Sequence, residues 1–479
     1  MGAIAAAFDK KGTNATSPVL TMLKELKHRG TRTPTVASQP LTFIAQSLGK
    51  SENDETFSKT AVGTNSSEPI LTRNYVMVFE GRFFPSINSI VNQIMKEMEQ
   101  QPMKTVRRIL KELDGSYTFA VAFSNKVLVG RDTMGTRPLY YGENESICTV
   151  ASERKALWKI GITNVQSFPP GNLAILNKDG ITFEPVAALE VPLQKEIKTV
   201  DAAKHLQKLL KESTRERILD VKEVGVAFSA GLDSSVVAVL AKLVGAHVHL
   251  ICVGLEGLRE ISRIKDAAET FGLPLTLQTY TFEDVKKVLP KVLWLIEEPD
   301  VMKAGVAIPF YWTAEAASKL GCHVLLAGQG ADELFGGYHR YLKEYEKDGI
   351  EKVREALFHD TTMSYETNFQ RDESVCAYHK VELRLPFIDD KVVRFALSLP
   401  LSLKIKSAED NLRKRILRYT AKNLGIPASI ADNPKKAIQF TTGVDKALEK
   451  LAKREGLTQH SYVNKVFKEV YPRVEGKNG

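Results

Sequence analysis

From about residue 200 onward, short apolar runs alternate with stretches in which apolar side chains recur every three to four positions. A helical period over Val200–Ile218 leads into the apolar run "VGVAF", then the helical "SSVVAVLAKLVG", the run "HVHLICVG" and the helical "ISRIKDAAETFG". The runs "PLTLQTYTF" and "CHVLLAG" follow, with further helical stretches between them. This strand–helix–strand repetition predicts a parallel sheet with helices on both faces. Beyond residue 340 the period is mostly helical, to a last block ending near Val474.

The first 185 residues read differently. Short β-type runs recur at "TFIAQS", "YVMVFEGRFF", "SYTFAVAFSN", "KVLVGRD", "LYYG" and "LAILN", divided by turn residues, with one helical segment over Ile87–Leu113. The polar stretch Lys50–Pro69 predicts a mobile surface loop. "FPPGNLAILNKDG" closes this strand-rich part, and Val191–Thr199 reads as a bridge to the next. The expected domains are therefore residues 1–190 and 200–479.

Composition narrows the class. The chain has 479 residues, 43% hydrophobic and 26% charged, which suits a globular protein of two or three domains. No apolar run approaches the roughly 20 residues that span a bilayer, and the start of the chain lacks a basic region followed by an apolar one, so a cytoplasmic protein without membrane partners is expected. Met1-Gly2 raises N-myristoylation, but Ala6 stands where that signal needs Ser or Thr. The four cysteines lack CxxC spacing, which argues against disulfide or zinc frameworks. The net charge of +9 is spread among interleaved acids, a field suited to anionic substrates such as ATP rather than a nucleic-acid stripe.

Two glycine turns carry the candidate chemistry. In "FSAGLDSS", Phe228–Ser235, an apolar run ends in Ser229, Ala230 and Gly231 and a helix begins, so backbone N–H groups and a helix N-terminus can meet an anion. Ser229, Ser234 and Ser235 add hydroxyls, and Asp233 makes sense beside phosphate if Mg²⁺ lies between. In "AGQGADELFGGY", Ala327–Tyr338, a second run ends in another glycine turn with Asp332 and Glu333, and Asp332 could complete a metal site with Asp233. Either turn alone is also explained as a capped helix start. Together they point to a clamp for Mg²⁺-pyrophosphate.

With "VELRLPFID" downstream, these motifs resemble the synthetase domain of the asparagine synthetase and β-lactam synthetase family, in archaeal-looking variants. The first domain resembles the family's class II glutamine amidotransferase half through "LKHRG", "LDGSYTFAVAF", "VGRDTMGTRPLYYG", "ASERKAL" and "FPPGN". The resemblance covers nearly the whole chain, in the family's order. It implies an α/β protein: an N-terminal Ntn-type α-β-β-α sandwich, then a parallel-sheet PP-loop domain of the adenine nucleotide α-hydrolase type with a helical C-terminal part.

It also implies a reaction. A carboxylate attacks the α phosphorus of ATP, pyrophosphate leaves, and an amine displaces AMP from the acyl-adenylate. Ser229, Gly231, Asp233 and Ser234 would hold pyrophosphate, Asp233 and Asp332 would bind Mg²⁺, and backbone at Val253–Gly254 and Ala327–Gly328 would flank the nucleotide. A late lysine would neutralise the leaving group; "NPKKAIQF" offers Lys435 and Lys436, of which Lys436 is preferred. Arg384 and Glu382 fall on the family's E-x-R-x-PF-x-D segment, where a structural ion pair competes with substrate contact, and Asp372 and Lys414 carry a fainter signal. The resemblance further suggests a homodimer.

Two departures reshape the expectation. Class II amidotransferases use an N-terminal Cys as nucleophile, but position 2 is Gly and no Cys precedes Cys148. Glu80 also replaces an oxyanion-stabilising Asn in "FEGRFF", where a carboxylate would repel the charge, so this domain is expected to be an inactive scaffold. Asparagine-forming members carry Glu where this chain has Gln329, which cannot act as a base. Glu333 or a product oxygen would then take the proton, Tyr338 could participate, or the amine would arrive neutral.

The leading expectation is an AMP-forming amide ligase that joins ammonia, free or delivered by a separate glutaminase subunit, to aspartate or a related carboxylate. A lactam-forming cyclase using an amine within its substrate also accounts for Gly2 and Gln329. A non-catalytic nucleotide-binding paralogue is the third reading.

Overall fold

The computed structural model of the chain describes residues 2–30, 35–39, 59–64, 69–84, 88–257, 260–434 and 438–472. They form two compact units, Met1–Leu189 and Glu190–Gly479.

The first unit holds two six-stranded sheets. One runs Gln166–Ser167, Tyr140–Glu143, Ile147–Ala151, Ile4–Asp9, Thr60–Thr64, Thr35–Gln39; the other Gly180–Pro185, Asn172–Asn177, Lys126–Arg131, Gly115–Phe123, Val76–Phe83, Ile70–Leu71. Alternation along each strand divides the burial between two faces. Ile4, Ala6 and Phe8 meet Val76, Val78, Ala120 and Val129 in the core between the sheets. Ala5 and Ala7 face Val19, Met22 and Leu23 of the helix Thr16–Glu25 on one outside. Met77, Phe119 and Val121 face Met98, Val106 and Ile109 on the other. The layers are helix, sheet, sheet, helix, as the motifs implied.

Two local expectations need correction. Thr60–Thr64, read as part of a polar loop, is a strand paired with both Ile4–Asp9 and Thr35–Gln39. Its β-branched Thr60, Val62 and Thr64 suit a pleated strand, and all three are buried despite the polar flanks. The segment read as one helix over Ile87–Leu113 is two, Asn88–Gln100 and Pro102–Glu112, because Pro102 cannot donate a backbone hydrogen bond and instead opens the second. The run "TFIAQS" and the rest of the expected loop fall largely outside the described residues.

The second unit is built on a five-stranded parallel sheet in the order Leu275–Tyr280, His247–Leu255, Glu223–Ala227, Val324–Leu326, Glu382–Arg384. Successive residues Leu250 and Ile251 are both buried, so both faces are covered. After Leu275–Tyr280 the chain crosses to the other side of Glu223–Ala227. This puts a topological switch point between Glu223–Ala227 and Val324–Leu326, where open α/β sheets bind ligands at strand carboxyl ends. Helices dominate the C-terminal part. Asp389 caps one of them, Asp390–Ser398, accepting from Lys391 N at 3.0 Å and Val392 N at 3.3 Å.

Candidate active site

Both glycine turns leave the strands that border the switch point. Phe228 N still bonds Ile251 O at 2.8 Å, the last rung of the ladder, before Ala230 takes a left-handed φ of +52° and the helix Leu232–Leu243 begins. Ser229 and Ser234 hydroxyls lie 3.2 Å apart, Gly231 N donates to Ser229 Oγ at 3.3 Å, and Ser234 Oγ donates to Gly231 O at 3.2 Å. The Ser235 side chain is buried and its Oγ finds no hydrogen-bond partner among the described residues.

The second turn packs directly on the first. A Cβ at Gly328 would lie 2.8 Å from Asp233 Cβ, so only glycine lets the turns approach this closely. Beyond it Asp332 sits in the short helix Ala331–Phe335. The two candidate metal acids converge on a third residue: Lys414 Nζ lies 2.8 and 2.7 Å from the Asp233 carboxylate oxygens and 2.7 Å from Asp332 Oδ1. The Lys414 side chain is 3% exposed. A buried ammonium is costly unless paired, and two carboxylates here offset one cation. Gly337 closes the cluster, since a Cβ there would fall 1.8 Å from Asp332 Oδ1 and 2.3 Å from Lys414 Cε.

Beside this centre runs a second polar network. Gln329 Nε2 donates to Asp372 Oδ2, and Arg371 holds the same carboxylate through Nε at 2.7 Å and Nη2 at 3.0 Å. Burial pushes the Asp372 carboxyl above the ordinary carboxylate range, with Arg371 and Gln329 pulling the other way. Glu333 accepts from Tyr338 Oη at 2.5 Å and Asn368 Nδ2 at 2.8 Å. Burial, then the Glu333 and Asp332 charges, keep the Tyr338 phenol protonated. Asn368 lies in a π-helical turn, Tyr365–Phe369, that hands over directly to the helix carrying Arg371 and Asp372.

The remaining candidates fall as follows. Val253 and Gly254 lie near the carboxyl end of the strand His247–Leu255, next to Glu223–Ala227. Arg384 bonds Asp220 at 2.6 and 3.0 Å and Glu382 at 2.8 Å, a structural ion network. Lys435 and Lys436 lie outside the described residues.

In the first unit, the sandwich end that holds position 2 is filled with paired charge. Gly2 N donates to Glu80 Oε1 at 2.7 Å, and Arg29 Nε donates to Gly2 O at 3.1 Å. Arg29 continues to Glu153 Oε1 at 2.8 Å, where His28 and Lys155 also converge. Burial would raise the Glu153 carboxyl, but His28, Lys155 and Arg29 outweigh it and hold it well below the usual range.

Two carboxylates gathered on one cation at strand carboxyl ends offer hard oxygen ligands of the kind Mg²⁺ takes, with phosphate oxygens or water to complete its shell. The donor set therefore fits the metal. The fold is a layered α-β-β-α sandwich followed by a domain built on a five-stranded parallel sheet, with the paired acids at its strand carboxyl ends. A family model described as asparagine synthase matches residues 205–351 and 343–473, and one described as glutamine amidotransferase domain matches 64–159. A Methanocaldococcus jannaschii protein, provisionally named a glutamine-hydrolyzing asparagine synthetase, is 34% identical over 73% of this chain and 73% of its own. Escherichia coli asparagine synthetase B is 27% identical over 70% of this chain and 62% of its own, so the chain spans under two thirds of that relative. The chain belongs to the asparagine synthetase family, whose members are ATP-using carbon–nitrogen ligases. A solved Bacillus subtilis glutamine PRPP amidotransferase is 16% identical with a TM-score of 0.31, covering 57% of this chain and 65% of its own, too slight a likeness to carry an argument. No described helix is long and apolar enough to cross a membrane.

Proposed function

We propose that this chain is an ATP-dependent, AMP-forming amide ligase that activates aspartate or a related carboxylate and joins it to ammonia. The observation that carries the reading is the meeting of Asp233 and Asp332 on buried Lys414, beside a serine-lined helix N-terminus. Such a place can hold a polyphosphate by backbone N–H groups, hydroxyls and opposite charge. Asp233 and Asp332 would hold Mg²⁺, which when bound neutralises phosphate charge. Among the described residues, Lys414 is a side chain that can follow the charge of departing pyrophosphate.

In the first step a carboxylate oxygen bonds to the α phosphorus while the bond from that phosphorus to the β-bridging oxygen breaks, and pyrophosphate leaves with the electron pair. In the second, the amine nitrogen bonds to the acyl carbon, the carbon–oxygen bond to AMP breaks, and the nitrogen sheds a proton. Gln329 cannot accept it. Asp372, which Gln329 touches, has the raised proton affinity that suits an acceptor, and Glu333 is the alternative.

Glutamine hydrolysis has no place in this reading. Position 2 is glycine, and its N–H is bonded to the Glu80 carboxylate where an oxyanion would need a neutral donor. Ammonia then comes from solution or from a separate glutaminase subunit.

The test is to follow AMP, pyrophosphate and amide product with ATP, Mg²⁺ and aspartate, comparing glutamine with ammonium at rising pH. Asparagine formed from ammonium, faster as neutral NH₃ accumulates, is expected. AMP released only with an acid that bears its own amine would favour the lactam-type reaction. No AMP with any carboxylate would leave a binding protein.

A further inference from the structure

The loop that delivers Lys414 is held in an unfavourable backbone conformation. Arg413 and Lys414 both adopt φ of +50°, two successive non-glycine residues in the left-handed region, immediately before the helix Arg415–Asn423. Side chains with a Cβ resist that region, so the pair persists only if something outside it over-determines the turn. The constraint comes from the helix itself. Arg418, one turn on and 5% exposed, folds back so that Nε donates to Leu412 O at 3.1 Å and Arg413 O at 2.8 Å, and Nη2 donates again to Leu412 O. Its Nη1 reaches Ala431 O at 2.5 Å and Asn433 O at 2.9 Å.

All of these hydrogen-bond acceptors are backbone carbonyls. A buried guanidinium with no carboxylate in direct contact among the described residues is an unusual choice for stability, because burial disfavours its charge, as the downward push on Arg418 reflects. A planar fork is, however, well suited to fixing several carbonyls at once. Asp410 secures the opposite side of the turn, its Oδ1 accepting from Leu412 N at 3.2 Å and Arg413 N at 3.1 Å. Arg413 Nε in turn donates to Gly337 O at 3.1 Å, tying the turn to the backbone beside Asp332.

We infer that Arg418 is a positioning residue, which sets the left-handed Arg413–Lys414 turn so that the Lys414 ammonium meets the Asp233 and Asp332 carboxylates and the pyrophosphate group. This rests on the ligase reading above.

The experiment measures binding of Mg²⁺-pyrophosphate to the full chain by titration calorimetry, for the wild type, Arg418→Lys, Lys414→Ala and the double variant. Lysine keeps the charge and loses the fork. Losing shared buried hydrogen bonds predicts about tenfold weaker binding for Arg418→Lys alone. In the Lys414→Ala background the same change should cost less than about twofold, because the residue being positioned is gone. Equal losses in both backgrounds would overturn the inference and leave Arg418 a general packing residue. If Arg418→Lys does not fold, Asp410→Ala removes the acceptor on the other side of the same turn, and its loss should likewise vanish with Lys414→Ala; persistence would count against the inference. Failure of the wild type to bind pyrophosphate at all would instead overturn the ligase reading.

Discussion

Gly337 leaves no space for even a methyl group, and that makes it the most direct probe of the centre. Alanine there would collide with Asp332 and Lys414 together, and overpacking of this kind costs roughly 1–3 kcal/mol. Gly337→Ala should therefore slow ATP–pyrophosphate exchange by tenfold or more with little change in the far-UV spectrum; normal exchange would show that the acid–lysine cluster plays no part. Asp233→Asn should abolish exchange, since it removes one charge from the pair proposed to hold Mg²⁺, and retained exchange would count against that assignment. Asp233 and Asp332 were legible in the sequence because each follows an apolar run and a glycine turn. Lys414 had no such local signature. It pairs with a residue 181 positions away, and only the folded chain reveals why two acids sit so close. Gly337 and Arg418 were hidden for the same reason: their importance lies in contacts, not in pattern.

The turn Leu401–Leu403 ends in a residue of a different kind. Lys404 is buried, no carboxylate pairs with it among the described residues, and burial, with Arg354 adding repulsion, pushes its amine down to about 7. A lysine that is harder to protonate when folded binds fewer protons than the open chain between about pH 7 and 10.5, so its contribution to stability rises with pH across that window, by up to about 1.4 kcal/mol per unit. Lys404→Met should raise the unfolding midpoint at pH 6 to 7, and the gain should shrink toward pH 10. A gain independent of pH would mean the amine is charged and solvated in the fold. Elements of this size were mostly readable. The second unit's main strands were identified because they recur between amphipathic helices, the repetition that a parallel sheet produces. The strand Thr60–Thr64 escaped because its flanks are polar and its partners, Ile4–Asp9 and Thr35–Gln39, are remote.

At the scale of the whole molecule, the two units match two family models and present different polar centres. The second keeps both acids and the serine-rich turn. The first keeps the layered fold and its buried ion network while position 2 offers no nucleophile. Gly2→Cys alone should release no glutamate from glutamine, because Glu80 still faces that position; robust release would show that the carboxylate is no obstacle. The layered architecture was legible from the resemblance its motifs carry, and the parallel sheet from the alternation of strands and helices, but the strand order that creates the switch point was not. The polar filling of the sandwich end was not, since it joins Gly2, Arg29, Glu80 and Glu153 from four separate stretches of chain.

The ammonium shared by Asp233 and Asp332 has one more consequence. Because Lys414 supplies a counter-charge from the chain itself, the repulsion between the two acids is offset within the protein. A chelator should accordingly abolish turnover yet leave the melting temperature where it was. Loading with Mg²⁺ would then bring further positive charge to acids that Lys414 already pairs, at a cluster assembled before substrate binds.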